Sequence, residues 1–254
     1  MRTDLLAVYA LWRRDLLRFV RSRGRLVGTI VTPFFVLAFL GFGFRGAQFG
    51  AIPESVSYLD YLVPGVLGFT MLFSASFSGL AVLSDREAGF LKEIFVAPVS
   101  RVAIVFGRTT GAGTTSLLQA LAILVLSIPL GFRPNLLGIP VAVVVLAAIA
   151  VTFIGFGLAL ASQFSDSQGY SLIVNFVVFP LAFLSGAFYP LENLPLPLEI
   201  VGRLNPLTYG IDALRAVLIG YAAYPLWLDL AVLAGAGVGT MVLGAALFER
   251  VDVA

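Results

Sequence analysis

Residues 84–108 read SDREAGFLKEIFVAPVSRVAIVFGR and carry seven of the chain's charged residues. Two runs without any charge, Tyr61–Ser84 and Thr109–Phe132, flank this block. Apolar runs of that length are typical of helices that cross a lipid bilayer. The charged block between them is therefore expected in water. Because it contains no evident catalytic residues, it is most simply a docking surface for another protein.

The composition indicates an integral membrane protein. Hydrophobic residues make up 59% of the 254 residues and charged residues 12%, against about 25% charged in an ordinary globular domain. The net charge of +2 reflects an uneven distribution of charges and not a nucleic-acid-binding patch. Cysteine and histidine are absent, which excludes disulfides, thiolate or imidazole metal sites, and catalysis by either residue.

Six charge-free runs predict an all-α fold with six transmembrane helices, because each run is long enough to cross the hydrocarbon as a helix. Six crossings place both termini on the same side. Twelve of the 16 lysines and arginines fall on that side and four on the other, which predicts cytoplasmic termini. We expect residues 1–254 to form a single membrane domain. The six runs are Leu26–Phe44, Tyr61–Ser84, Thr109–Phe132, Pro134–Ser165, Ser167–Leu191 and Leu230–Phe248.

Residues 1–25 have the pattern of an amphipathic helix that lies on the membrane surface. Apolar side chains recur at helical spacing on one face and arginines on the other. A simpler and compatible interpretation is a positively charged flank that anchors the first span. The apolar face comprises Leu5, Tyr9, Trp12, Leu16 and Phe19, and the basic face Arg14, Arg18, Arg21 and Arg25.

The segment 190–226 is expected outside the cell as a re-entrant segment. Its three prolines at the start prevent a continuous helix. Asn205 and Pro206 then predict a helix start, and Gly220 an end after Ile219. Fourteen residues span about 21 Å, less than the bilayer core of about 30 Å, so this helix dips into the outer leaflet or lies on it.

Few residues in the spans could carry chemistry. The segment GRTTGAGTT at 107–115 lacks the lysine of a phosphate-binding loop, so we expect no ATP binding by this chain. Asp166 and Asp229 are expected to be solvated or capping carboxylates. Glycines four residues apart allow close helix packing, at Gly24/Gly28, Gly107/Gly111 and Gly235/Gly239. Several polar side chains either bond between helices or line a conduit, namely Thr109, Thr110, Thr114, Thr115, Gln119, Asn175 and Ser185.

The charged block predicts a short helix before Pro98. Ser84 and Glu87 fit a capping box, although the second span could instead run on and stop at Gly89. An apolar side flanked by charges is what a protein partner binds; the alternative is a helix that rests on the membrane. The apolar side comprises Phe90, Leu91, Ile94 and Phe95, and the flanking charges are Asp85, Glu87, Lys92 and Glu93.

Three motifs resemble those of ABC type-2 transporter permeases. The run DREAGFLKE at 85–93, followed by PVSR at 98–101, resembles the cytoplasmic coupling segment of that family, with Phe90 and Ala97 where threonine is common. The run NPLTY at 205–209, with Arg215 after it, resembles the motif before the last span. The run FLSGAFYP at 183–190 resembles the fifth span and its outer loop. The resemblance marks for ATPase coupling Asp85, Arg86, Glu87, Gly89, Phe90, Leu91, Glu93, Ile94, Pro98 and Arg101.

The same resemblance marks five residues of the external re-entrant segment: Asn205, Pro206, Tyr209, Asp212 and Arg215. Asp212 and Arg215, three residues apart on a helix, are expected to pair. Residues that could line a conduit are Phe69, Phe73, Gln119, Asn175, Phe179 and Phe183.

The resemblance implies the membrane subunit of an exporter of a lipophilic substrate, closest to drug- and antibiotic-efflux members of the daunorubicin-resistance type. It implies two ATPase subunits that use ATP and Mg²⁺, a second permease protomer (homodimer before heterodimer), and the cytoplasmic membrane of a bacterium or archaeon. This chain itself would hold no cofactor. Alternatives are an exporter of lipid-linked polysaccharide or other lipid, a membrane enzyme, and an ion channel or scaffold without an ATPase.

Overall fold

The computed structural model describes residues 2–46, 50–88 and 100–249, and within them every regular element is a helix. Two short 3₁₀ turns, Leu136–Gly138 and Leu191–Asn193, precede longer helices. The α-helices, in chain order, are α1 Arg2–Arg21, α2 Arg23–Gly43, α3 Tyr58–Ser76, α4 Ser78–Glu87, α5 Arg101–Ser127, α6 Ile139–Ala161, α7 Ser167–Phe183, α8 Leu196–Leu204, α9 Pro206–Ile219 and α10 Leu226–Glu249.

Four helical stretches of the described chain are long and apolar enough to cross a membrane. They are Tyr58–Glu87 (α3 with α4), Phe106–Ser127, Leu136–Ala161 and Leu226–Leu247. The first and fifth predicted spans correspond to shorter apolar helices, Val27–Gly43 and Ser167–Phe183. The all-α fold is confirmed and the count of six crossings stays a prediction.

Helix α6 lies at the centre of the bundle. It is apolar around its whole circumference, as a helix surrounded by other helices must be, and packs against α3, α5, α9 and α10. Its contact with α10 is a backbone contact: a Cβ at Gly155 would lie 2.7 Å from the Met241 nitrogen, and one at Gly244 would lie 2.7 Å from the Gly155 carbonyl oxygen. Glycine is therefore required on both sides of this interface.

The molecule has two ends, between which the long helices run. The charged end contains Asp85–Ala88, Ser100 and the α6–α7 turn (residues 162–166). The opposite end contains the starts of α3 and α6 and the turn at Gly186. Helix α7 begins at the charged end, where Ser167 contacts Glu87, and finishes at the opposite end, near Gly186. It therefore covers the same distance as the longer helices.

The second predicted span runs on through the start of the charged block. Helix α3 ends at Ser76, and α4 begins at once with Ser78, so Ser84 lies inside a helix that continues to Glu87. The predicted capping box of Ser84 and Glu87 is therefore wrong. The alternative, a second span that runs on, holds as far as Ala88; Gly89 lies outside the described residues.

Helix α5 begins eight residues before the predicted third span, at Arg101 instead of Thr109. The Ser100 hydroxyl caps it by accepting a hydrogen bond from the Ala103 amide at 3.2 Å. Arg108, expected in water because it is charged, lies within the helix and is buried. Charge alone misplaced this boundary because a buried arginine is tolerated where an acidic partner faces it.

Helix α1 forms as predicted and packs along the first half of α5. Gly107 and Gly111 permit the contact: a Cβ at Gly107 would lie 3.0 Å from Leu11 Cβ, and one at Gly111 3.0 Å from an Asp15 carboxylate oxygen. Trp12 Nε1 donates a hydrogen bond to Thr114 Oγ1 at 3.0 Å. The other two glycine pairs have no other helix within 4 Å, so only the Gly107/Gly111 pair forms a close packing contact in the described structure.

Candidate functional site

At the charged end, one carboxylate joins three helices. Asp85, at the end of α4, is 5% exposed and contacts Arg108 Nη2 of α5 directly. Its oxygens also lie 3.0 Å from Arg14 Nη2 and 3.6 Å from Arg18 Nη1, both of α1. Two arginines of the predicted basic face of α1 are thus directed at an acidic residue of the bundle. We call Asp85, Arg14, Arg18 and Arg108 the charge cluster.

The charge cluster ties α1 and α5 to the helix that enters the coupling segment. Arg108 is 5% exposed, so its guanidinium has little access to water and depends on the Asp85 carboxylate for compensation. Removing one partner from such a buried pair leaves an uncompensated charge and is strongly destabilising. Asp85 therefore has an intramolecular partner and does not form part of the exposed charged rim that the sequence predicted.

The next two residues of the coupling motif contact the α6–α7 turn. Arg86 Nη1 donates to the Phe164 carbonyl oxygen at 3.4 Å. The Glu87 carboxylate accepts from the Ser167 amide at 2.7 Å and from the Ser167 hydroxyl at 2.9 Å. Glu87 remains exposed at the surface, so part of the predicted rim survives, but its carboxylate already serves the start of α7.

The far side of the coupling segment is attached to α1. The Ser100 amide donates to an Asp4 carboxylate oxygen at 2.9 Å. Hydrogen bonds from Ser100 lower the pKa of the Asp4 carboxyl, because they favour its ionised form. Helix α1 therefore holds residues on both sides of the segment 89–99, at Asp85 and at Ser100.

The remaining residues of the coupling motif keep their roles as predictions. Gly89, Phe90, Leu91, Glu93, Ile94 and Pro98 lie outside the described residues. Of Arg101, the structure describes only the backbone, which begins α5.

At the opposite end, the predicted helix of the 190–226 segment is present. Asn205 caps α9 by accepting from the Leu207 amide at 3.0 Å, and Pro206 occupies its first position. Gly220 ends the helix with φ +71°. The Tyr209 hydroxyl donates to the Arg203 carbonyl oxygen at 2.8 Å, which fixes α8 against α9. One face of α9 is buried in the bundle, so this helix is an integral part of the core.

Asp212 and Arg215 do not pair as predicted; each binds backbone groups of another segment. Arg215 donates through Nη2 to the Gly186 carbonyl oxygen at 2.8 Å and through Nε to that of Tyr61 at 3.2 Å. Its guanidinium carbon lies 3.5 Å from the centre of the Tyr61 ring. The Asp212 carboxylate accepts from the amides of Ala223, at 2.9 Å, and Tyr224, at 2.8 Å.

The reason is the demand of buried backbone groups for partners. A carbonyl or amide left without a hydrogen bond in a buried turn costs more than an ion pair at i,i+3 spacing gains. The sequence analysis missed Tyr61 and Gly186 as partners of Arg215. The glycine of the FLSGAFYP run was a possible signal, because its φ of +71° marks a tight turn with exposed carbonyls.

Four of the six predicted conduit residues form one aromatic cluster. Ring centres lie 4.5 Å apart for Phe69 and Phe73, 5.1 Å for Phe73 and Phe179, and 6.5 Å for Phe179 and Phe183. Phe188, which was not predicted, contacts Phe69 and Phe183 at 5.5 and 5.3 Å. Phe179 and Phe183 are 46% and 47% exposed, so the cluster opens on the surface of the described chain.

The two polar conduit candidates lie elsewhere in the bundle. Gln119 lines an internal cavity of about 100 Å³ together with Arg108 and Thr115. The Asn175 amide donates to the Ser171 carbonyl oxygen of its own helix at 2.9 Å. Neither is part of the aromatic cluster, and any contact with a conduit stays a prediction.

The two carboxylates at span ends differ from each other. Asp166 caps α7 as predicted, because its oxygen accepts from the Gly169 amide at 2.6 Å. Asp229 is fully buried and its oxygens have no hydrogen-bond partner in the described structure, so the prediction of a solvated or capping residue is wrong there. Within residues 2–46, 50–88 and 100–249, no group of three or more acidic residues is placed to hold a metal ion.

A family model described as "ABC-2 type transporter" matches residues 7–219. The chain belongs to the ABC-2 type transporter family. The match includes the charge cluster, the coupling segment, the aromatic cluster and α9. Members of this family are transport permeases that normally work with an ABC ATPase.

Similar proteins are named as permeases. The "Putative transport permease ycf38" of Porphyra purpurea is 32% identical over 216 residues, which are 83% of this chain and 73% of the relative. The "Inner membrane transport permease YadH" of Escherichia coli (strain K12) is 30% identical over 235 residues, 87% of this chain and 86% of the relative. The "Nodulation protein J" of Rhizobium leguminosarum bv. viciae is 25% identical over 244 residues, 95% of this chain and 93% of the relative.

Proposed function

We propose that this ABC-2 permease is the membrane subunit of an ATP-driven exporter of a lipophilic substrate. Its chain crosses the membrane six times with both termini in the cytoplasm, and two copies assemble with two ATPase subunits. The partner ATPases bind ATP and Mg²⁺. The substrate is a drug, antibiotic or lipid-like compound, and members of the daunorubicin-resistance type are the nearest functional comparison.

The observation that carries this proposal is the anchoring of the coupling segment. Both of its sides are bound to the bundle, through Asp85 and Glu87 before it and through Ser100 after it. A force that an ATPase applies to residues 89–99 would therefore act on α1, α4, α5 and α7 together. A free surface loop would absorb such a force.

In the proposed cycle, ATP binding draws the two ATPases together and shifts the permease between two arrangements. A nucleotide can shift these populations only by contacting one arrangement better than the other. The contact that differs is the one between the ATPase and the segment 89–99. Hydrolysis then restores the first arrangement.

The aromatic cluster supports a lipophilic substrate. Exposed phenylalanines on α7 and the rings behind them on α3 form an apolar surface with few hydrogen-bonding groups, at which a polar solute would lose its hydration. A second protomer facing this surface would enclose a pathway between the two chains. The α8–α9 segment would close that pathway at the external end.

Purification of the tagged permease from its own host membranes tests the proposal. We expect an ABC ATPase to co-purify in equal amount, and ATP hydrolysis by the reconstituted complex to rise with transported lipophilic compounds. Leu91→Ala should reduce transport and leave membrane insertion intact. Leu137→Ala is the matched control, because Leu137 lies at the opposite end and is 88% exposed. A permease that brings down no ATPase would favour a channel or scaffold.

A further inference from the structure

The start of α7 is attached to α4 at three points. Ser167 binds Glu87 through two hydrogen bonds, the Phe164 carbonyl accepts from Arg86, and the Tyr170 hydroxyl binds the Ser76 carbonyl oxygen where α3 meets α4. These contacts join elements far apart in sequence. Together they form a polar joint, which we define as Glu87, Ser167 and Tyr170 with their partners.

The contact between Glu87 and Ser167 is the charged part of the joint. Ser167 is the first residue of α7, so the Glu87 carboxylate lies at the amino-terminal end of that helix, where its negative charge is favoured. Two donors at 2.7 and 2.9 Å make it a charge-assisted contact. Helix α4 and helix α7 are thus held end to end at the charged end.

Tyr170 binds the point at which α3 changes into α4. The Leu80 amide bonds to the Phe77 carbonyl at 3.1 Å, which leaves the Ser76 carbonyl without this amide as its helical partner. The Tyr170 hydroxyl donates to that carbonyl at 2.6 Å and lies 3.2 Å from the Gly157 carbonyl oxygen. Tyr170 is fully buried, and Gly79 leaves room for its hydroxyl.

We propose that Glu87, Ser167 and Tyr170 are positioning residues that carry movement of the coupling segment to α7. This inference rests on the proposed function. Because α7 bears Phe179 and Phe183, a displacement at Glu87 moves one wall of the aromatic cluster relative to Phe73 on α3. The fifth span is then driven directly by the ATPase, in addition to the second and third spans on either side of the coupling segment.

Removal of the charged contact tests the joint without disturbing the core. In the reconstituted complex with its ATPase, Glu87→Ala should retain basal ATP hydrolysis and lower transport per ATP by about tenfold, the effect of losing one charge-assisted hydrogen bond. Tyr170→Phe should act in the same direction. Gln163→Ala is the control, because Gln163 is exposed in the same turn and bonds only to its neighbour Ser162.

A covalent link separates transmission from a purely structural role. The chain has no cysteine, so the double variant Glu87→Cys with Ser167→Cys provides a single reactive pair. A short, reducible bifunctional thiol reagent that bridges the pair should restore transport, and a reducing agent should abolish it again. Thermal stability is measured in parallel.

The outcomes distinguish this inference from the proposed function. If the wild-type complex neither hydrolyses ATP nor transports, the proposed function fails. If the wild type transports but Glu87→Ala transports equally well, only the joint is refuted. A pair that does not react with the bridging reagent, or a bridged complex whose transport stays low, also overturns the joint.

Discussion

The Asp85 carboxylate compensates the buried guanidinium of Arg108, and we expect Asp85→Asn to destabilise the permease. The amide can still accept a hydrogen bond, but it leaves Arg108 charged in a site that is 5% exposed. Loss of one partner of a buried pair costs about 3–5 kcal/mol. Thermal unfolding in detergent measures the effect as a lower midpoint.

The matched control for Asp85 is Glu199→Gln. Glu199 pairs with Arg203 four residues later at the surface of α8, and exposed pairs of this kind contribute about 0–1 kcal/mol. If both variants unfold at the wild-type midpoint, the charge cluster does not stabilise the bundle, and its role in holding α1 and α5 to α4 is refuted.

Arg215 fixes the external end through two carbonyls that no other residue is placed to serve as well. Arg215→Ala removes the donors at the Gly186 and Tyr61 carbonyls, each hydrogen bond from a charged group being worth about 1.5–3 kcal/mol. We expect lower stability and impaired export, measured by thermal unfolding and vesicle transport.

Arg215→Lys should recover only part of the loss. A lysine ammonium cannot reproduce the planar geometry that donates to two carbonyls while stacking on the Tyr61 ring. Arg203→Ala, at the surface of α8, should remain close to wild type. A fully stable and active Arg215→Ala permease would remove this residue from the functional set.

Helix α1 is held against α5 by the absence of side chains at Gly107 and Gly111. We expect Gly107→Leu to displace α1, because even a Cβ there would lie 3.0 Å from Leu11 Cβ and 3.1 Å from Val8 Cα. The chain has two tryptophans, so in a Trp227→Phe background the fluorescence of Trp12 reports its contact with Thr114. Its emission should shift when α1 leaves α5.

Gly235→Leu is the control for this displacement. Gly235 lies on α10 with nothing within 4 Å, so a leucine there should leave Trp12 emission and thermal stability unchanged. Identical spectra for the Gly107 and Gly235 variants would contradict the packing of α1 on α5.

Helix ends followed from the sequence where a local signal determines them. Asn205, Pro206 and Gly220 gave both ends of α9, because capping depends on the residues at the cap itself. The ends of α4 and α5 could not be read in this way. Asp85 and Arg108 look like water-exposed charges one at a time, and only their mutual contact allows both to be buried.

For the whole molecule, the sequence predicted the apolar helices and their order but not how they contact. Hydrophobicity is a property of each segment, whereas the packing of α1 depends on one glycine pair among 26 glycines. The partners of Arg215 were equally hidden, since Tyr61 and Gly186 are distant in sequence and meet only when α3 and α7 converge. Within the functional site, motif residues were predictable and their intramolecular partners were not.

The membrane topology depends on whether the two shorter apolar helices, α2 and α7, cross. In the described structure α7 runs from Glu87 at the charged end to Gly186 at the opposite end, as a crossing helix must. Because the natural chain lacks cysteine, single cysteines can report sidedness. Glu54→Cys and Asn193→Cys should react with an impermeant maleimide in intact cells, and Ser22→Cys and Gln163→Cys only after permeabilisation. Equal labelling of Ser22→Cys and Glu54→Cys from one side would show that α2 does not cross, and would place the charged end outside the proposed reach of an ATPase if that side were external.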